Sequence, residues 1–202
     1  MSIIIYYGGR EIDTTADVVI PDPRITHSGY FGLHLCSGGD LNGDGYDEIV
    51  CGSQGPTQGF IFWGGEVVDT SGYLGLPDNG EFDMGDVNGD GFDDLIFCGF
   101  DEGRVVIFFG SADFDTIPDI VFDYATEHIF ISDINGDGYG DMGIWEFYAD
   151  TIGYLFIYLG GEEPDTTADA CFEWAYQKIY SVNRDGYEDI KGCLLYTSDA
   201  AD

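Results

Sequence analysis

The stretch DLNGDGYDE at Asp40–Glu48 is the most informative part of this chain, because close copies of it recur at a nearly fixed interval. The copies are DVNGDGFDD from Asp86, DINGDGYGD from Asp133 and SVNRDGYED from Ser181, so their starts lie 46, 47 and 48 residues apart. We call these segments the first to fourth acidic loops and number their residues from position one to position nine. Recurrence at one period indicates an internal structural repeat.

A second motif keeps the same period. It pairs Gly-Gly or Gly-Ser with an Asp-Thr that follows after three residues, in YYGGREIDT, FWGGEVVDT, FFGSADFDT and YLGGEEPDT at Tyr6–Thr14, Phe62–Thr70, Phe108–Thr116 and Tyr158–Thr166. Because two independent motifs share one period, the sequence predicts that each period is one structural unit.

Each unit reads as about four short strands, since β-branched and aromatic runs are separated by Gly-rich or charged turns. Four strands in a unit of 40–50 residues are typical of a β-propeller blade. We therefore predict an all-β fold, a partial arc of about four blades with four antiparallel strands per blade. The predicted units are a half blade at 1–20, blades at about 28–77, 80–123 and 126–170, and a half blade at 174–192.

Two segments near the C-terminal end fit the repeat pattern less clearly. DACFEWAYQKIY at Asp169–Tyr180 has a pattern that also fits an amphipathic helix, but its alignment with the other repeats predicts a strand, a turn and a strand. Residues 193–202 follow none of the repeat patterns and look like a translated library adapter. We therefore expect that they do not belong to the fold and that the natural protein continues past residue 192.

The composition is strongly acidic. The 202 residues carry 39 acidic and six basic side chains, a formal net charge of −33, yet 44% of them are hydrophobic and 16% aromatic, which favours a folded core. The basic side chains are scattered, so the sequence predicts no nucleic-acid partner. The sequence also has no apolar run long enough for a membrane span. Five cysteines without CxxC spacing are expected to be small buried residues. Bound cations would reconcile the charge with a compact fold.

The acidic loops predict calcium sites. Ca²⁺ is held by six to eight oxygens at about 2.3–2.6 Å, from carboxylates, amides and backbone carbonyls. In the first loop the predicted ligands are the side chains of Asp40, Asn42, Asp44 and Glu48 and the backbone carbonyl of Tyr46, whose ring is expected to pack on the neighbouring blade. The same spacing gives Asp86, Asn88, Asp90, the Phe92 carbonyl and Asp94 in the second loop, and Asp133, Asn135, Asp137, the Tyr139 carbonyl and Asp141 in the third.

The fourth loop is a degenerate copy. Its corresponding residues are Ser181, Asn183, Asp185, the Tyr187 carbonyl and Asp189. Ser181 replaces the first aspartate, and Arg184 adds a positive charge among the ligands. The sequence therefore predicts three complete calcium sites and a fourth of lower affinity.

Three alternatives to this kind of calcium site exist for these loops. A helix-loop-helix calcium hand needs a bidentate Glu at its twelfth position, where the three complete loops have Cys51, Phe97 and Ile144. A phosphate-binding loop would be opposed by three carboxylates. A solvated Asp-Gly turn that binds nothing is the remaining alternative, and three complete copies at one period favour calcium over it.

The chain resembles the integrin-alpha-type FG-GAP (VCBS-like) repeats of calcium-binding β-propellers. The resemblance is carried by Phe31-Gly32 before the first loop, by the GDxNGDG loops and by the glycine-bearing runs that follow them. It covers nearly all of residues 1–192 and implies an extracellular or cell-surface protein in which the chain is an arc of a larger ring, as integrin-type propellers are seven-bladed. The alternative is a four-bladed ring closed by pairing of the two half blades.

The sequence favours a binding module over an enzyme. His27, His34 and His128 are the only histidines, and none stands in a nucleophile motif. We predict a non-catalytic, calcium-stabilised propeller for adhesion, ligand recognition or scaffolding. Its protein or glycan partner would bind the face opposite the calcium loops, built from the connections at 21–30, 53–59, 100–104 and 145–151. The alternatives are a propeller within a secreted calcium-dependent polysaccharide lyase or hydrolase, and a purely structural stalk.

Overall fold

The computed structural model describes residues 1–10, 13–24, 31–52, 59–76, 80–99, 104–122, 126, 128–148, 152–174, 177–180 and 189–192. Within these ranges the regular structure consists of β-strands. They are β1 Ser2–Ile5, β2 Val18–Pro21, β3 His34–Ser37, β4 Ile49–Gly52, β5 Phe60–Phe62, β6 Leu74–Gly75, β7 Gly80–Gly85, β8 Asp94–Gly99, β9 Val105–Phe108, β10 Ile120–Phe122, β11 Ile129–Ser132, β12 Asp141–Tyr148, β13 Ile152–Tyr158, β14 Ala170–Trp174, β15 Gln177–Tyr180 and β16 Asp189–Gly192. In this part of the chain no helix is long and apolar enough to cross a membrane.

The strands form antiparallel sheets in chain order. Strands β3–β6, β7–β10 and β11–β14 make three four-stranded sheets, and the pairs β1–β2 and β15–β16 make two-stranded sheets. Neighbours in sequence are neighbours in the sheet, as in a propeller blade. The predicted all-β, propeller-like architecture is confirmed.

The ambiguous segment at Asp169–Tyr180 is also resolved. Strand β14 ends at Trp174 and pairs with β13, whereas β15 begins at Gln177 and pairs with β16. The prediction of two strands is confirmed, because periodicity in the repeat outweighs a local pattern that fits a helix.

The core lies between the faces of successive sheets. Strand β8 is buried along its whole length, since one face packs towards the sheet before it and the other towards the sheet after it. The sequence of a strand buried on both faces is a continuous apolar run and does not alternate between apolar and polar residues. This explains the run LIFC in β8. Loop residues also belong to these cores, since Leu41 and Val87, both at position two, are fully buried in them.

The first strands of the three sheets lie side by side. Strand β7 has β3 on one side and β11 on the other. On β7 the carboxylate of Asp83 accepts the Ile131 N–H at 2.7 Å, and that of Glu81 accepts the Ile129 N–H at 3.3 Å. These carboxylates satisfy backbone N–H groups of β11 that its own sheet does not use.

One predicted connection is partly wrong. Trp145–Tyr148 were expected in a variable loop, but they continue β12 and pair with β13. Trp145 is 5% exposed and packs with Leu155 and Ile157, so its ring belongs to the core. The other connections expected to form a ligand face, and the expected tail at 193–202, lie largely or wholly outside the described residues.

Candidate metal centre

The aspartate at position one orders each acidic loop by accepting hydrogen bonds from backbone N–H groups of that loop. In the first loop Asp40 Oδ1 accepts the N–H groups of Gly43 at 2.8 Å and Asp44 at 3.1 Å, and Oδ2 accepts that of Gly45 at 2.8 Å. The corresponding distances are 2.6, 3.2 and 3.0 Å to Asp86 and 2.7, 3.0 and 3.0 Å to Asp133. The turn requires φ near +73° at Gly43 and +87° at Gly45, a conformation that glycine adopts without strain.

Positions three and five continue the same pattern. Asn42 Oδ1 accepts the Asp44 N–H at 2.8 Å, and Asp44 Oδ1 accepts the Tyr46 N–H at 2.9 Å. The Asn42 side-chain amide also donates to Asp44 Oδ2 at 3.3 Å. The second and third loops repeat all three hydrogen bonds. The structure therefore brings positions one, three and five together in one turn in each described loop.

Position nine has a different set of contacts. The Glu48 carboxylate is fully buried and accepts the N–H groups of Leu41 at 2.7 Å and Gly64 at 3.2 Å. Its counterparts do the same, as Asp94 accepts from Val87 at 2.9 Å and Gly110 at 2.8 Å, and Asp141 from Ile134 at 2.8 Å and Gly160 at 3.0 Å. Each of these carboxylates braces position two of its own loop against the next hairpin.

This brace joins the two repeated motifs, a connection that sequence reasoning missed. Gly64, Gly110 and Gly160 are the first glycines of the Gly-Gly or Gly-Ser pairs. Their similar spacing from the starts of the acidic loops, 24, 24 and 27 residues, was the available signal. A second missed feature is the aspartate before the last strand of three units: Asp17, Asp119 and Asp169 accept the N–H groups of Tyr7, Phe109 and Leu159 at 2.7, 2.8 and 2.8 Å.

Burial makes the braces electrostatically costly. It raises the pKa of Glu48 to about 7, although the Leu41 and Gly64 N–H groups act in the opposite direction and the charges of Asp44 and Asp40 add to the rise. Burial likewise raises the pKa of Asp94 to about 7 and that of Asp141 above its ordinary value. A cation beside these carboxylates would favour their charged form.

The donor set of each described loop suits a hard cation. It offers two carboxylates at positions one and five, an amide at position three and the backbone carbonyl at position seven, which are all oxygen donors of the kind Ca²⁺ prefers. Among the described residues no three His, Cys, Asp or Glu side chains gather closely enough to hold a metal by themselves. The position-nine carboxylates point to backbone N–H groups instead, and their role as ligands stays a prediction.

The ring at position seven lies on the preceding loop. A methyl group built on Gly43 would overlap the ring of Phe92, and one on Gly89 would overlap the ring of Tyr139. The structure thus shows for Phe92 and Tyr139 the packing on a preceding loop that the sequence analysis expected of Tyr46, whereas Tyr46 itself is 45% exposed. In the fourth loop, positions one to eight lie outside the described residues, and Asp189 is described only as the first residue of β16.

Two histidines can be placed. His34 lies in β3, and His128 precedes β11 with its Nδ1 3.3 Å from Glu81 Oε2. That contact joins adjacent first strands, which is a packing role. His27 lies outside the described residues.

Residues 40–97 match the FG-GAP-like repeat family. The chain therefore carries an FG-GAP-like repeat, which begins at position one of the first acidic loop and contains the second loop and most of β8. A search of the curated proteins finds no match.

Proposed function

We propose that this chain is part of a non-catalytic, calcium-stabilised β-propeller of the integrin-alpha or VCBS-like type, in an extracellular or cell-surface protein. It would serve adhesion, ligand recognition or scaffolding. Calcium would be held at positions one, three, five and seven of the three complete loops, with position nine supporting the site.

One observation carries the proposal: three loops repeat the same hydrogen bonds that direct oxygen-bearing side chains into one turn. The FG-GAP-like repeat at residues 40–97 supports the propeller part of the proposal. The net charge of −33 adds a physical reason, because divalent cations offset repulsion among carboxylates that the fold brings together.

The extracellular setting is part of the same proposal. Calcium sites of extracellular modules have Kd values of about 10⁻⁴–10⁻³ M. Affinities in this range suit small surface loops of this kind. The partner, a protein or a glycan, would meet the face opposite the acidic loops. A polysaccharide panel incubated with the full-length protein tests the enzyme alternative, since cleavage of any member would contradict a purely non-catalytic role.

Isothermal titration calorimetry of the chain with Ca²⁺ tests the metal site directly. We expect uptake of about three ions per chain. Asp44→Asn should remove or strongly weaken one site, because it deletes a ligand charge. Asp47→Asn is the matched control, since Asp47 is an exposed carboxylate in the same loop and is not a predicted ligand. Equal losses in the two variants, or no calcium uptake by the unaltered chain, would contradict the proposal.

A further inference from the structure

We propose that the three acidic loops are coupled in a line, so that calcium bound in one loop raises the affinity of the next loop. This inference rests on the calcium function proposed above and adds its regulation. It is drawn from the contacts that run from each loop to its neighbour.

The first contact is a ring on a glycine. Phe92 at position seven of the second loop covers Gly43 at position four of the first, and Tyr139 of the third loop covers Gly89 of the second in the same way. Gly43 and Gly89 have φ of +73° and +77°, so the covered backbone is the sharp turn that presents positions three and five. Loosening one turn therefore removes the support under the ring of the next loop.

Backbone hydrogen bonds form the second contact. The Asp93 N–H donates to the Asp40 carbonyl at 3.1 Å, and the Gly140 N–H donates to the Asp86 carbonyl at 2.7 Å. Both acceptors belong to position one, the residue that orders its own loop. Position two is held too, because the Leu41 and Val87 carbonyls accept the N–H groups of Ser111 and Gly161, each at 2.9 Å.

The route of coupling passes through position seven. Its backbone carbonyl is a predicted ligand of its own loop, while its ring rests on the loop before. Asp93 and Gly140, whose N–H groups reach position one of the preceding loop, are the next residues in the chain. A calcium ion that fixes one loop thus fixes the surface against which the next position seven is placed.

The two junctions are not identical. At the first junction the Asp93 carboxylate also accepts the Asp40 N–H at 2.7 Å. Gly140 stands at the same position of the third loop and has no side chain to do this. The first and second loops should therefore be coupled more strongly than the second and third.

Shared ordering gives the sign of the effect. If each ion must order contacts that two loops share, the first ion meets most of that entropy cost and the second binds more tightly. Coupling between sites typically changes affinity by about 5- to 150-fold. We expect the lower part of this range, because each junction consists of one ring contact and two or three hydrogen bonds.

The test is a calcium titration of the ¹⁵N-labelled chain that follows the position-six glycines separately by NMR. The Gly45, Gly91 and Gly138 amides donate to the position-one carboxylates at 2.8, 3.0 and 3.0 Å, so each signal reports on its own loop. Asp44→Asn disables the first loop. In this variant the Gly91 signal should need about 5-fold more calcium for half-saturation, and the calcium concentration for half-saturation of the Gly138 signal should increase by a smaller factor.

The variant Phe92→Ala should weaken the dependence of the second loop on the first, because it removes the ring contact and leaves the hydrogen bonds of the junction. Ile117→Ala truncates an apolar side chain that is 72% exposed and lies outside the acidic loops, and should leave that dependence intact. Phe92→Leu, which keeps apolar volume without the flat ring, replaces Phe92→Ala if the latter does not fold.

The outcomes separate the two proposals. If the unaltered chain shows no calcium-dependent shift at any of the three glycines, the calcium function fails and coupling fails with it. If all three shift, but Asp44→Asn leaves half-saturation at Gly91 unchanged, calcium binding stands and the coupling is overturned.

Discussion

At the scale of single residues, position nine is where the structure adds most to the sequence. The spacing of Glu48, Asp94 and Asp141 predicts metal ligands, and the structure shows that each carboxylate is fully buried and accepts at least two backbone N–H groups. One of those groups belongs to a glycine 16 to 19 residues further on, across a hairpin. Sequence spacing identifies the carboxylate, but only sheet pairing identifies its partner.

This role gives a prediction for Asp94. Asp94→Ala leaves the buried N–H groups of Val87 and Gly110 without their acceptor, so the free energy of unfolding should fall by about 2–4 kcal/mol in the presence of chelator. Urea denaturation measures this. Asp94→Asn, which keeps an acceptor oxygen, should cost less, and Asp47→Ala on the exposed surface should change stability by under about 0.5 kcal/mol. An effect of Asp94→Ala as small as that of Asp47→Ala would contradict the brace.

At the scale of strands and sheets, the repeat allows most of the fold to be predicted. The four-strand pattern and the assignment of Asp169–Tyr180 to two strands follow from aligning the copies, because each copy must bury the same faces. The extension of β12 to Tyr148 could not be predicted this way, since this unit has a longer hairpin than its neighbours. The packing of first strands through Asp83 also escapes the sequence, because it joins different repeats.

Asp83 gives a prediction for pH dependence at this scale. Burial raises the pKa of Asp83 above its ordinary value of 3.8, although the Ile131 and Met84 N–H groups and the Cys36 thiol oppose the rise. The folded state therefore holds this proton more tightly than the unfolded state. The contribution of Asp83 to stability is greatest below pH 3.8 and is lost as pH rises through the higher folded-state pKa.

The variant Asp83→Asn isolates this effect. It keeps an oxygen to accept the Ile131 N–H and removes the charge, so it should stabilise the chain at pH 7 relative to the unaltered chain. The difference should shrink as the pH is lowered towards 4. Thermal unfolding across this range provides the measurement. A stability difference that does not vary with pH would show that Asp83 ionisation is not involved.

At the scale of the whole molecule, the open question is how a chain with a net charge of −33 keeps its sheets together. Apolar clusters fill the spaces between successive sheets, while each acidic loop gathers several carboxylates. Removing calcium should leave the cores intact and restore the repulsion in the loops. Stability should then depend on calcium more than on ionic strength.

The most direct measurement is thermal unfolding of the chain in millimolar CaCl₂ and in excess chelator, at matched ionic strength, with MgCl₂ as a second control. Millimolar calcium is about a tenfold excess over a Kd of about 10⁻⁴ M. Each occupied site should then contribute about 1.4 kcal/mol, or a rise in melting temperature of about 3–6 °C per site. We predict a marked fall in chelator that Mg²⁺ does not reverse. Identical melting curves in calcium and in chelator would contradict the calcium-stabilised propeller.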